Sequence, residues 1–160
     1  MKLRISLIVS IVALAVVVLL PSAQAANSRT AQQAKQAVVS RIVGHLKTEQ
    51  NLLRRSSSSL DLAQLIAQMR GQEAKIRTDE ANLASVQLTS NERKDFKLAL
   101  PALFRADTDL INMMKVFESK GIRGTQGVSK QSGLFDGLWN AAKAATTQVL
   151  QTTIDVTQAL

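Results

Sequence analysis

Cysteine and tyrosine are absent from the 160 residues, and tryptophan and histidine occur once each. Without a thiol the chain has no disulfide, no thiolate metal site and no dithiol redox chemistry. One histidine, His45, is too few for a histidine-rich metal site. It is also the only base available to a Ser-His-Asp triad, and no G-x-S-x-G turn supplies the nucleophile; His45 reads as a surface or half-buried structural residue. Aromatics make up 3% of the chain, too few to interleave with basic residues as stacking on single-stranded nucleic acid requires.

Other signatures are missing too. The Gly121–Gly127 stretch lacks the G-x-x-x-x-G-K-[ST] order that cradles phosphate, and no N-x-[ST] sequon offers an N-glycan site. No sustained period-two alternation and no Asn-Gly or Asp-Gly turn marks a strand or hairpin. Asp79 and Glu80 are neighbours, pointing about 100° apart on a helix, so they do not converge as glycosidase acids must. Asp107 and Asp109 sit on the third helix, and Asp107 falls on its apolar seam, either hydrogen-bonded at a helix crossing or facing a ligand cavity. No catalytic residue, metal or cofactor is expected, and the protein reads as non-enzymatic.

What is present begins with an export signal. Lys2 and Arg4 precede an apolar run from Ile5 to Leu20, broken only by Ser6 and Ser10. Pro21 is expected to end any helix, and Ser22-Ala23-Gln24-Ala25 supplies the small residues of an A-x-A cleavage site. The run is shorter than the roughly 20 apolar residues that span a bilayer. Residues 1–25 are thus expected to be a signal peptide cut after Ala25, and 26–160 a single secreted domain, free or associated with a cell wall.

Charge narrows the partners. The chain carries 20 basic against 12 acidic residues, a net +8; loss of Lys2 and Arg4 leaves 18 against 12, or +6. The basic residues are scattered, densest at Arg54-Arg55 and Arg93-Lys94-Lys97. Nucleic acid is not expected on that pattern, whereas attraction to an anionic wall polymer, host macromolecule or lipid surface is compatible with it.

Periodicity predicts four helices. The first runs from Ser28 to Arg55, with Val38, Val39, Ile42, Val43, Leu46 and Leu53 on one stripe, Arg41, Lys47 and Glu49 facing elsewhere, and a polar start over 26–36 that frays. Ser56–Ser59 breaks the pattern, as serine competes with helix through its own backbone bonds, and offers sites for O-glycosylation beside the dibasic Arg54-Arg55. Ser59 is the simplest cap for the second helix, Leu60 to Gln87, with stripe Leu62, Leu65, Ile66, Met69, Ile76 and Leu83. Glu73 and Glu80 interrupt that stripe, Glu80 reading as solvated.

Thr89-Ser90-Asn91-Glu92 is a capping box. It opens a third helix with Phe96, Leu100, Leu103, Leu110, Met114 and Phe117 on its seam, kinked near Pro101 and closed by Gly121. Gly121 to Ser132 reads as a mobile loop. The last helix opens at Ser132 or Asp136 and reaches almost to Leu160, its stripe Phe135, Leu138, Ala142, Ala145, Val149 and Val156, with Trp139 at the rim. Taken alone, its start could lie in a membrane interface; the continuing stripe favours packing, with Leu134, Phe135 and Leu138 plugging the bundle. The alanines at 141, 142, 144 and 145 either admit a close neighbour or leave room for a guest. The expected fold is all-α: an antiparallel up-down bundle of four to five amphipathic helices.

From Glu73 onward the order of features resembles the fungal hydrophobic surface-binding protein A and cell-wall mannoprotein family. An acidic helix ends in Asp79-Glu80-Ala81-Asn82-Leu83, a Leu-Thr-Ser turn follows at 88–90, and a long helix with Pro101 runs through Leu110-Ile111-Asn112-Met113-Met114 to Lys120-Gly121. An Ala/Thr-rich helix, Leu138 to Leu150, comes last. The resemblance covers residues 73–150 and implies a secreted, non-enzymatic bundle that adheres to hydrophobic surfaces or encloses fatty-acid-like lipid. It departs in charge, this chain being basic, and in the glycines of 121–132. The residues themselves add a local reason: a proline-kinked helix facing small side chains is expected to leave an apolar cavity lined by Leu100, Leu103, Phe104, Met114, Leu138, Ala142, Ala145 and Val149. The alternative expectation is an effector or interaction protein that binds an anionic macromolecule through its basic surface.

Overall fold

In the computed structural model the chain is all α-helical, with α1 (Lys2–Arg55), α2 (Leu62–Ala84), α3 (Ser90–Ser119), α4 (Thr125–Lys130) and α5 (Gly133–Gln158), and no strand among the described residues. The structure describes the backbone of residues 2–56, 60–130 and 133–160, and the side chains of 27–56, 60–128 and 133–160. Two compact units divide the chain, Met1–Ala37 and Val38–Leu160.

In the first unit the backbone of residues 2–37 is helical throughout. Pro21 does not end the helix. A proline removes one backbone hydrogen bond, a loss that the helix on either side spans here. Asn27–Gln36 is likewise helical where fraying is expected from its polarity, and its side chains from 27 to 34 are exposed.

The second unit holds the hydrophobic core, to which all the helices of this unit contribute except for the early part of α1. Val38, Ile42, Val43, Leu46 and Leu53 of α1 are buried, as their spacing predicts. Glu49 is not turned away with Arg41 and Lys47: it is 0% exposed. It follows Leu46 by three residues and precedes Leu53 by four, so it occupies the stripe itself.

All six apolar residues predicted for α2 are buried, and Asp79 is buried with them. The cap is Asp61, whose carboxylate accepts from the Gln64 N–H at 3.0 Å; Ser57–Ser59 lie outside the described residues. Asp79 accepts from Arg41 Nε at 2.9 Å and lies 3.5 Å from His45 Nε2, joining α2 to α1.

α3 has the predicted capping box. The Thr89 hydroxyl accepts from the Glu92 N–H at 3.3 Å, and the Thr89 N–H donates to the Glu92 carboxylate at 2.8 Å. The helix continues unbroken through Pro101, which is exposed. It ends in a Schellman motif: Gly121 has φ +80°, the Gly121 N–H donates to Glu118 O at 2.9 Å and the Ile122 N–H to Phe117 O at 3.0 Å.

The segment after Gly121 is not the mobile loop its glycines suggest. It folds into α4 and buries Ile122, Thr125 and Val128. Its start pairs with the chain entering α2: the Leu62 N–H donates to Arg123 O at 2.8 Å and the Thr125 N–H to Leu60 O at 2.9 Å, an antiparallel bridge between Asp61 and Gly124. At Gly124 a Cβ would come within 3.3 Å of Leu60 O, so the missing side chain is what admits this pairing.

α5 packs mainly on α3 and also carries α4. Its buried face is Trp139, Thr146, Leu150, Thr153, Ile154 and Thr157, about one residue, or 100° of helix, from the predicted stripe. The reason is threonine. Thr153 Oγ1 donates to Val149 O at 2.8 Å and Thr157 Oγ1 to Thr153 O at 2.6 Å, so these hydroxyls bury satisfied and their methyls pack. Trp139, expected at the rim, is buried with its ring 6.4 Å from that of Phe117, which also meets Phe135 edge-on at 5.7 Å.

Candidate functional site

The eight residues predicted to line a cavity are not brought together around one. Leu100, Leu103, Phe104 and Met114 are packed in the core, and the guanidinium of Arg77 covers the Phe104 ring at 3.9 Å. Ala142 and Val149 are half-buried against that core. Leu138 is 48% exposed and Ala145 is exposed, so an enclosed site cannot include them. The rotation of α5 accounts for this: it turns Leu138 and Ala145 outward. Of the four alanines, Ala141, Ala144 and Ala145 are exposed and Ala142 is half-buried.

A cleft is found instead where α2 ends and α3 begins. Leu83, Ala84, Leu88 and Phe96 form its apolar lining, with Arg93 and Lys97 on the α3 side and Glu80 on the α2 side. The capping box fixes the first turn of α3, which places Arg93 and Lys97 one turn apart on a single face. The cleft holds about 90 Å³, small beside the roughly 300–1,000 Å³ of pockets that surround a drug-sized ligand. It opens onto a shelf formed by Leu88, Ser90, Arg93, Lys94, Lys97 and Leu98, where Leu98 is 65% exposed. An apolar floor with a cationic rim suits the end of an anionic amphiphile. The basic cluster is legible in the sequence; the apolar floor beside it is not, because the seam residue Phe96 and the turn residue Leu88 meet only after α2 and α3 pack.

A second apolar feature lies on α5. Leu134, at 71% exposure, Leu138, Ala141 and Ala145 follow helical spacing along a solvent-facing line. Leu134 and Leu138, expected to plug the bundle, stay outside it because Trp139 takes the inner position.

The third feature is the crossing of α1 and α3. Glu49 and Asp107 (1% exposed) face each other there, and no donor among the described residues reaches any of their four carboxyl oxygens. Each has the other within hydrogen-bonding reach, a contact that becomes a hydrogen bond only when one carries a proton. Burial, then the Asp107 charge, pushes Glu49 up to about 10. Burial also pushes Asp107 up to about 7, with Glu73 adding to the rise and the bond from Glu49 opposing it. Asp107 is thus buried opposite Glu49, without the hydrogen-bond donor expected for it at a helix crossing. Glu49 is the residue missed by treating charge as a mark of the outer face.

Among the described residues no group of three or more His, Asp or Glu is placed to hold a metal ion, and no helix is long and apolar enough to cross a membrane. No protein-family model, curated protein or solved structure matches the chain. The likeness to the hydrophobic surface-binding family thus rests on the order of residues alone.

Proposed function

We propose that this is an exported, non-enzymatic binding protein whose ligand is an anionic amphiphile of the fatty-acid type, held at the α2–α3 cleft. The observation that carries this reading is the pairing of an apolar floor, Leu83, Leu88 and Phe96, with Arg93 and Lys97. It joins in one place the apolar-ligand and anionic-partner expectations. Each methylene buried there contributes about 0.8 kcal/mol, while the carboxylate end meets the cationic rim. Glu80 opposes the anion, so its removal should tighten binding.

Titration of the full chain with a fluorescent fatty acid, paired with native mass spectrometry, tests the reading. Saturable binding is expected. It should weaken about tenfold or more in Arg93→Glu/Lys97→Glu, a loss of about 1.4 kcal/mol, weaken in Leu88→Asp, and strengthen in Glu80→Gln. The absence of bound lipid in both measurements, or equal affinity in all of these proteins, would sink it.

A second reading is favoured by the outward line on α5: adhesion to apolar or cell-wall surfaces through Leu134 and Leu138. Export is supported by the charged start, apolar run and A-x-A site of residues 1–25. Their loss would remove no residue of the compact unit that begins at Val38.

A further inference from the structure

Two carboxyl groups buried together with no donor are costly unless they share a proton. Two ions in a low-dielectric crossing repel, and each forfeits its hydration. Replacement by two apolar residues would avoid both costs, yet α1 and α3 each place an acid at this crossing: Glu49 at 0% and Asp107 at 1% exposure, with all four oxygens lacking a donor. Among the described residues no cation acts on the pair directly. From α2, Glu73 adds negative charge to both, and its carboxylate is engaged by Arg77 Nε at 3.0 Å and Nη2 at 2.6 Å. No charged residue of α5 acts on the pair among the described residues.

We infer that Glu49 and Asp107 form a proton-dependent clasp between α1 and α3, closed by one shared proton and forced apart when both carboxyls ionise. With one proton, the Glu49 carboxyl donates to the Asp107 carboxylate, a charge-assisted bond across the crossing. With none, two buried negative charges face each other beside Glu73. The sign follows from linkage. Both folded-state values lie above the ordinary ones of 4.5 and 3.8, so the native state holds more protons than the unfolded one. The stabilisation is complete below about pH 4 and is lost as pH rises through about 7 for Asp107 and about 10 for Glu49. The clasp tightens in acid and loosens in alkali, the reverse of a carboxylate held by arginine.

Urea unfolding of the full chain between pH 5 and pH 9 reads this out. The wild-type midpoint should fall across this range by about 0.5–1 M per pH unit for each proton the native state holds in excess of the unfolded one. In Glu49→Gln the fall should lessen by the part that Glu49 contributes, since the amide donates to Asp107 without titrating. Asp107→Asn should lessen it by the part that Asp107 contributes, and Glu49→Gln/Asp107→Asn, which leaves neither carboxyl at the crossing, should remove it. Because the chain has no cysteine, Lys47→Cys/Asp109→Cys carries two spin labels at exposed positions. Their distance distribution should broaden from pH 8, where one proton is shared, to pH 11, where both carboxyls are ionised, and should not do so with Glu49→Gln added. Infrared spectra of the wild type at neutral pH should contain a protonated-carboxyl stretch. Parallel midpoint curves in wild type and variants, an unchanged label distance or a missing stretch would each overturn the clasp.

Discussion

Thr89 and Glu92 show how much a single residue can decide. Their reciprocal bonds satisfy donors at the start of α3 that no helical carbonyl reaches, and they orient Arg93 and Lys97 beside the cleft. Thr89→Ala should lower unfolding free energy by about 1 kcal/mol, measured by urea titration, and should weaken fatty-acid binding beyond that only if the first turn frays. The same scale shows what a sequence conceals. The capping box is legible because it is local: two side chains bond to backbone three residues away. Glu49, Asp79 and Asp107 are not, because each is buried by helices distant in the chain. Asp79 is matched by Arg41 and His45, while Glu49 is matched only by another acid. Position alone pointed inward for Glu49, since it fills the interval between Leu46 and Leu53.

Helices differ in how clearly they declare the face they bury. α2 and α3 carry Leu, Ile, Met and Phe on one side, and every apolar residue predicted to be buried there is buried. α5 offers two competing lines. One is plainly apolar at Leu134, Leu138, Ala141 and Ala145; the other alternates Trp, Leu and Ile with Thr146, Thr153 and Thr157. The second is inside because a threonine that bonds to its own helix behaves as a β-branched apolar group, and because the indole of Trp139 buries more surface than the alanines could. Leu134→Asp/Leu138→Asp should therefore change stability by no more than about 0.5 kcal/mol per site. The double variant should adsorb less to alkyl-coated beads, which checks the adhesive reading separately from the cleft. Unchanged adsorption would remove that reading. Gly121 and Gly124 complete the element scale: both are legible as chain-turning residues, but the backbone pairing that Gly124 admits depends on Leu60, far back in the chain.

At the scale of the molecule, the all-α class is legible from the absence of any strand period together with the apolar periodicity of the helices. The unit boundary is not. The second unit begins at Val38, and helical propensity carries no record of where packing begins. On the proposed export, targeting and folding are separable. N-terminal sequencing of the exported protein should begin at Ala26, and a chain lacking residues 1–25 should keep the urea midpoint of the full chain. A mature start inside the compact unit, or a markedly lower midpoint, would count against residues 1–25 being only an address. The net +6 that remains after Ala25, 18 basic against 12 acidic residues, bears on encounter as well: association with anionic amphiphile assemblies should slow as salt screens it, over a Debye length of about 8 Å at physiological ionic strength.

The backbone pairing of Leu60–Leu62 with Arg123–Thr125 has a consequence for the continuity of the chain. It ties the entrance of α2 to the exit of α3, so those two helices form a noose closed at its neck by hydrogen bonds as well as by the turn at its far end. A break in the exposed turn around Gln87 would leave both pieces anchored, α2 through α1 and α3 through α4 and α5, with the neck still shut. A chain cut there is thus expected to stay one particle on size-exclusion chromatography, and separation of the two pieces would show that the neck does not hold them.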